Sequence, residues 1–241
     1  MSVQPSLAYD IASSPCGGLW IRLLGVRALM RSSGALWLEE ARTLIVADLH
    51  LEKGSAYASR GQLLPPFDTG DSLGRLEREA AALDPQMLVL LGDSFHDRMS
   101  EDRLAPENAE RLQALAAARR LTWIVGNHDS EAPRFMPGDA ADLIQVQGLM
   151  LRHEPHSGPY PGEVSGHLHP CARVAASAGR VRRRCFVTDG ERVILPAFGA
   201  FAGGLNIRDQ AFSGLFARQP IAAVLGKARV HAIGWRSLAP D

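Results

Sequence analysis

The residues in this chain best suited to chemistry occur in five short stretches. They are Asp48-Leu49-His50, Gly92-Asp93, Gly126-Asn127-His128-Asp129, Arg152-His153-Glu154-Pro155 and Gly166-His167-Leu168-His169-Pro170. Five of the eight histidines, at 50, 128, 153, 167 and 169, fall in these stretches, each just after a short apolar run. The D-x-H and H-x-H spacings let alternate side chains of an extended segment point the same way and reach one site. Imidazole, carboxylate and amide oxygen together suit Mn, Fe or Zn better than Ca or Mg. Two such ions about 3.5–4 Å apart form a clamp for in-line displacement at phosphorus and activate a bridging water. Two ions need a shared carboxylate, and Asp93, at the end of the apolar run Met87-Leu88-Val89-Leu90-Leu91, is the natural candidate.

The elements that must position these residues are legible in the apolar patterning. Thr43 to Ala47, Met87 to Leu91 and Leu121 to Val125 read as buried strands that each end in polar ligands. Between them, Asp68 to Leu83 carries Leu73, Leu76, Ala80 and Leu83 at helical spacing. Pro106 to Arg120 starts on Pro, has Glu107 and Glu110 in its first turns, and ends on Arg119-Arg120, a helix signature. Leu51 to Gln62 has helical character interrupted by Gly54. Strand, helix, strand, helix, strand argues for parallel pairing in a layered α/β fold. Upstream, Leu19 to Val26 and Gly34 to Glu39 read as short strands around a Ser-Ser-Gly turn. Downstream the pattern changes to short strands at 143–146, 149–152, 162–165, 173–176, 182–188, 192–195, 221–225 and 230–235. Val187 and Val193 flank an Asp-Gly turn, a hairpin signal. The reading is a two-sheet sandwich flanked by helices, forming one domain over 19–241, with the Ser/Pro/Gly-rich residues 1–18 as a flexible tail.

At 241 residues, 46% hydrophobic and 22% charged, the chain has the composition of a soluble globular protein. Its formal net charge is zero, so attraction to phosphate must come from local clusters rather than a bulk field. Lysine occurs only at 53 and 227, leaving arginine as 24 of the 26 basic residues. That bias fits either genome composition or a preference for bidentate phosphate partners. Three scattered cysteines (16, 171, 185) imply neither a disulfide framework nor a zinc knuckle, and point to a reducing cytoplasm. The N-terminus lacks a signal-peptide pattern. No apolar run is long enough to span a bilayer, so no membrane partner is expected.

Taken in order, the five stretches resemble the motifs of the calcineurin-like metallophosphoesterases, over residues 48 to 170. The resemblance implies a four-layer αββα sandwich of two mixed β-sheets flanked by helices, holding two divalent ions. By position it places Asp48, His50 and His169 on one ion and Asn127, His153 and His167 on the other, with Asp93 bridging. It makes His128 the group that contacts a phosphate oxygen and assists the leaving group, with Asp129 orienting His128. Gly92-Asp93-Ser94-Phe95-His96-Asp97, the Arg152 stretch, Gly166 to Pro170 and Pro196 to Gly204 together resemble a narrower branch, the bacterial ligase-associated DNA-damage-response endonucleases. That branch implies Mn²⁺, DNA phosphodiesters as substrate, a hydroxide bridging the metals as nucleophile, and a DNA ligase or helicase as partner.

Each signal has a plainer counterpart. His96 and Asp97 support the metal ligands or form a capped turn; Arg98 meets substrate phosphate or lies in a solvated loop. The run Arg180, Arg182, Arg183, Arg184 is an exposed hairpin in an arginine-rich chain. Alternatively, strand alternation puts Arg182 and Arg184 on one face toward a DNA backbone. Pro196 to Gly204 reads as tight packing near the site; His156, His231 and Cys171 read as structural. The expected function is a two-metal phosphodiesterase, a Mn-dependent DNA endonuclease in repair. Its alternatives are a phosphodiesterase of cyclic or other small nucleotides and a non-catalytic binding module on the same fold. The closing strands could support a homodimer.

Overall fold

The computed structural model describes residues 10–65, 67–129, 131, 133–176 and 179–241. The first sheet runs in chain order: β1 Ala12–Ser13, β2 Leu19–Leu23, β3 Val26–Met30, β4 Leu36–Leu38, β5 Thr43–Val46, β6 Met87–Leu91, β7 Arg120–Ile124 and β8 Asp139–Ala141. β1 to β5 pair antiparallel, and β5 to β8 pair parallel as the alternating pattern requires. Four helices lie along the chain between β5 and β7: α1 Lys53–Ala58, α2 Asp68–Leu83, α3 Ser100–Arg103 and α4 Pro106–Ala117. Parallel strands need such crossovers. Leu73, Leu76 and Ala80 of α2 and Leu112 and Leu115 of α4 pack on Leu44, Val46, Leu88, Leu90, Leu121 and Trp123. The opposite faces of the same strands (Ile45, Val89, Leu91, Ile124) meet the second sheet through Leu149, Leu151, Val164, Phe186 and Val193. Both faces of β5 to β7 are therefore buried, which explains their largely apolar sequences.

The second sheet contains β9 Leu143–Val146, β10 Leu149–Arg152, β11 Glu163–Ser165, β12 Cys171–Ala176, β13 Gly179–Thr188, β14 Val193–Ile194, β15 Ile221–Leu225, β16 Val230–Gly234 and β17 Leu238–Ala239. Its main path is β16-β15-β13-β14-β11-β10-β9, with β12 and β17 attached through β13. The two mixed sheets with helical cover match expectation. Over the second sheet's outer face, cover comes from Ile207, Phe212 and Leu215 of an extended segment with a single 3-10 turn, Gln210–Phe212.

Three local expectations change. Of the expected tail, residues 1–9 lie outside the described residues, but Ala12 and Ser13 pair with Trp20 and Leu19, so structure begins before residue 19. Leu23 and Val26 close a tight hairpin, so the expected single strand 19–26 is two strands. Gly54 does not interrupt a helix: it is buried inside α1, where its N–H donates to Asp68 Oδ2 (2.8 Å).

Candidate metal centre

The parallel strands end together, and the backbone ties their exits to one another. Asp48 N donates to Gly92 O (3.1 Å), His50 N to Asp93 O (2.9 Å), Leu51 N to Ser94 O (2.8 Å) and His96 N to Leu51 O (3.0 Å). From the second sheet, Gly166 N donates to His153 O (3.0 Å), linking the two histidine loops. The D-x-H and H-x-H segments are not extended. Asp48 (φ +55°), His50 (+46°), Asp93 (+46°), His167 (+66°) and His169 (+46°) all adopt the left-handed conformation. Paired kinks at i and i+2, rather than strand alternation, aim both side chains inward. For non-glycine residues each costs of order 1–3 kcal/mol, which surrounding contacts must hold in place. Gly92 (φ +76°) is required by space as well: a Cβ there would lie 2.2 Å from His153 Nδ1.

Two donor groups that include carboxylates result, beside a third cluster of imidazoles alone, His50, His96 and His128. Asp48, His50, Asp93 and His169 present atoms within 4.8 Å of one another, and so do Asp93, His153 and His167. Asn127 joins the second group, its Oδ1 3.0 Å from His153 Nε2. Asp93 is common to both. Its Oδ1 lies 3.4 Å from His153 Nε2, and its Oδ2 lies 3.9 Å from His50 Nε2. His50 Nε2 and His169 Nε2 are 3.2 Å apart, as are His167 Nδ1 and His153 Nε2. Bare imidazole nitrogens aimed at each other from fixed backbones, beside the buried carboxylates of Asp48 and Asp93, are the arrangement of ligands converging on cations. The seven residues therefore fit two divalent ions. Burial, aided by His169, drives the His50 imidazolium down to about 3, which leaves its ring neutral as a ligand must be. Burial opposes charge on Asp93, but the His153 contact outweighs it and holds the carboxyl well below its usual range. Burial disfavours His153 protonation too, yet Asp93 and Asp48 push its pKa up to about 9.

Around this core the remaining expected residues separate. His128 sits on the rim, its side chain 42% exposed and its Nε2 4.0 Å from Asp93 Oδ2. Its Nδ1 is 3.0 Å from the carbonyl of His96, and the two rings stack at 5.5 Å. Asp129 does not orient that ring. Its carboxylate accepts four backbone N–H groups: Asp93 (3.0 Å), Gly126 (3.0 Å), Ser94 (2.7 Å) and Phe95 (3.2 Å). Burial, with the charge of Asp93, pushes its carboxyl up to about 6 against the pull of those donors. Asp129 thus fastens the Asp93 loop to the Asn127 loop, and His96 supplies the acceptor for His128.

Asp97 caps a turn, accepting from Met99 N (2.9 Å), Ser100 Oγ (3.2 Å) and Arg103 Nη2 (2.8 Å), and it does not support the ligands. Arg98 is exposed beside Glu101 and Glu131, outside both donor groups. Arg182 and Arg184 both turn onto one neighbouring segment rather than outward. Arg184 is half-buried, donating to Ala197 O (2.8 Å) and Gly199 O (2.9 Å), while the exposed Arg182 donates to Gly204 O (2.6 Å).

Those carbonyls belong to the strap Pro196 to Gly204, whose Phe198 N and Gly199 N donate to Ala47 O (2.8 Å) and Asp48 O (3.0 Å). Supports for this strap come from α2, unnoticed in the sequence: Ser72 Oγ accepts from Ala200 N (3.1 Å) and Arg75 donates to Phe198 O (2.5 Å). The readable signal was polar Asp68, Thr69 and Ser72 at positions that a helix beside a core buries.

The chain matches the calcineurin-like phosphoesterase family over residues 41–193 and belongs to it. Membership makes it a phosphoesterase-type hydrolase on a fold that implies divalent metal ions. Among solved structures it is similar to the Pseudomonas putida nuclease MPE, 26% identical with a TM-score of 0.68, over 90% of this chain and 100% of that one. It is also similar to Yfce, a phosphoesterase from E. coli, at 16% identity and a TM-score of 0.40 over 80% of this chain and 98% of that one, too loose a likeness to bear on function. No curated protein matches the chain. No helix among the described residues is long and apolar enough to cross a membrane.

Proposed function

We propose that this protein is a two-metal phosphodiesterase that cuts DNA internally with Mn²⁺. The observation that carries the reading is the pair of donor groups joined through Asp93, open on the side where His128 stands. Asp48, His50 and His169 would hold one ion and Asn127, His153 and His167 the other, with Asp93 between them. Two bound ions supply electrophilic charge to a phosphoryl group and acidify water at the site. The chain's own residues do the rest. The carboxylate of Asp93, buried and fixed by His128 N (2.9 Å), keeps the two groups in register. His128, with Nδ1–H donating to His96 O, leaves Nε2 facing the site, where the doubly protonated imidazolium can pass its Nε2 proton to a departing oxygen and remain as the neutral Nδ1–H ring. Its exposure leaves room for a large ester.

The mixed N/O donor set supports Mn²⁺ among the candidate ions, with Fe or Zn compatible. Likeness to a nuclease across the full length of that protein supports a nucleic acid over a small nucleotide. A setting in DNA repair, with a ligase or helicase nearby, rests on the motif resemblance of residues 92–97, 152–155, 166–170 and 196–204. The test is a side-by-side assay with Mn²⁺ of plasmid, single-stranded DNA, cyclic nucleotides, a phosphomonoester and bis-p-nitrophenyl phosphate. Nicking of plasmid or of single strands, abolished by Asp93→Ala, is the expected result. Turnover of small nucleotides with DNA untouched would overturn the DNA assignment, and full activity in Asp93→Ala would overturn the bridging role.

A further inference from the structure

A cleft of about 800 Å³ opens between α2, β13 and the β15–β16 turn, and six cations line it: Arg75, Arg78, Arg182, Arg183, Arg184 and Lys227. Its one carboxylate, Glu79, is already paired with Arg31 Nε at 2.7 Å. In a chain of zero formal net charge this is a concentrated local surplus. Crowding is felt within it: burial, together with the charge of Arg184, pushes Arg75 down to about 10.

The six divide by what they touch. Arg75, Arg182 and Arg184 reach inward to the carbonyls of Phe198, Gly204, and Ala197 and Gly199. The guanidinium of Arg75 also covers the Phe198 ring at 4.8 Å. Arg78, Arg183 and Lys227 are exposed and form no ion pair with a carboxylate among the described residues. The inward three hold the strap whose other edge hydrogen-bonds Ala47 and Asp48. The cleft and the metal centre therefore stand on opposite sides of one strap.

An occupant must be an extended polyanion, because the cations come from three separate elements around an open cleft rather than converging on one point. An acidic protein surface would meet that condition. Adjacency to a centre that hydrolyses phosphate esters favours a strand of phosphates, since a strand held at the metals must continue across neighbouring surface. Arginine's planar fork suits each phosphate. We propose that the cleft binds the phosphodiester backbone of a nucleic-acid strand on one side of the bond cut at the metals. Arg78, Arg183 and Lys227 make the phosphate contacts, and Arg75, Arg182 and Arg184 hold the strap between cleft and centre. Contacts of this kind position a strand without reading its sequence. The inference rests on the nuclease reading above and names where its substrate runs.

The test compares the Mn²⁺-loaded wild type with Arg78→Ala/Arg183→Ala/Lys227→Ala on a labelled single-stranded 30-mer and on bis-p-nitrophenyl phosphate. Each phosphate contact on a single strand contributes about 0.7 to the slope of log affinity against log salt. The triple variant should therefore show a salt slope of log kcat/KM shallower by about 2, and kcat/KM on the strand lower by about 10-fold or more near 0.1 M salt. Its turnover of bis-p-nitrophenyl phosphate should be unchanged. As a check against misfolding, exposed Arg183→Glu alone should lower the strand's kcat/KM, and Arg183→Lys should restore most of it. An unaltered strand slope and kcat/KM in both the triple variant and Arg183→Glu would overturn the cleft while leaving the nuclease intact. A wild type that hydrolyses the small diester and no strand would overturn the nuclease reading, and the cleft's occupant with it.

Discussion

Asp129→Ala should damage the metal centre by loosening backbone, not by disarming His128. The carboxylate accepts N–H groups from Asp93, Ser94, Phe95 and Gly126 at 2.7 to 3.2 Å, and Ser94 and Phe95 are themselves buried. A buried donor left without an acceptor costs about 1–3 kcal/mol, with the upper part of that range for bonds to a charged acceptor. Water can reach the half-exposed Gly126. Removing the carboxylate also relieves its repulsion with Asp93, part of what pushes its pKa up to about 6 after burial. The net loss should then be roughly 3–5 kcal/mol, a large share of the ~5–15 kcal/mol that holds a domain together. That corresponds to a melting temperature lower by on the order of 10 °C. Asp129→Asn should be nearly as harmful, because an amide NH₂ would face backbone donors. Denaturant melts, Mn²⁺ content by elemental analysis and bis-p-nitrophenyl phosphate turnover, measured on one preparation, separate the possibilities. The reasoning predicts loss in all three. Wild-type stability and Mn²⁺ content with depressed turnover would refute it and return Asp129 to the role of orienting His128.

Other substitutions probe the remaining parts. His128→Ala should retain two Mn²⁺ per chain and lose turnover by about 10²–10⁴-fold, the usual contribution of one proton-transfer group; loss of metal in that variant would make His128 a ligand. Gly92→Ala places a Cβ 2.2 Å from His153 Nδ1 at a φ of +76°. Overpacking of this kind costs about 1–3 kcal/mol, so chemical denaturation should register the loss and elemental analysis should show less than full Mn²⁺. A fully loaded, fully stable Gly92→Ala protein would mean that the His153 loop yields freely.

Elements with a strongly buried face announced themselves. Asp68–Leu83 follows from its leucine spacing, and the strands at 43, 87 and 121 from largely apolar runs, because burial alone decides those patterns. The donor set was legible for the same reason that it is unusual: histidines after apolar strands are hard to place otherwise. What escaped reading depends on direction. Adjacency of His128 and Asp129 suggests a pair, yet the carboxylate turns back onto Gly126 N three residues earlier and onto the neighbouring loop. The left-handed turns at Asp48, His50, His167 and His169 have no glycine to mark them, so an extended segment was the natural expectation. Likewise α1 survives Gly54 because the helix needs a missing side chain where Asp68 approaches. Polar residues buried in α2 carried the strap's supports, and amphipathic periodicity is blind to them.

Neither donor group belongs to one sheet. The first combines Asp48, His50 and Asp93 with His169, and the second combines Asp93 and Asn127 with His153 and His167. A nascent chain that has folded only through Asn127 holds three of the four residues of the first group and two of the four of the second. Both groups are therefore complete only when the strands bearing residues 153 to 169 are docked. Polypeptide that ends between Asn127 and His153 lacks His153, His167 and His169. For a phosphoesterase-type hydrolase, dividing the ligands in this way makes an incomplete molecule also an incomplete metal site.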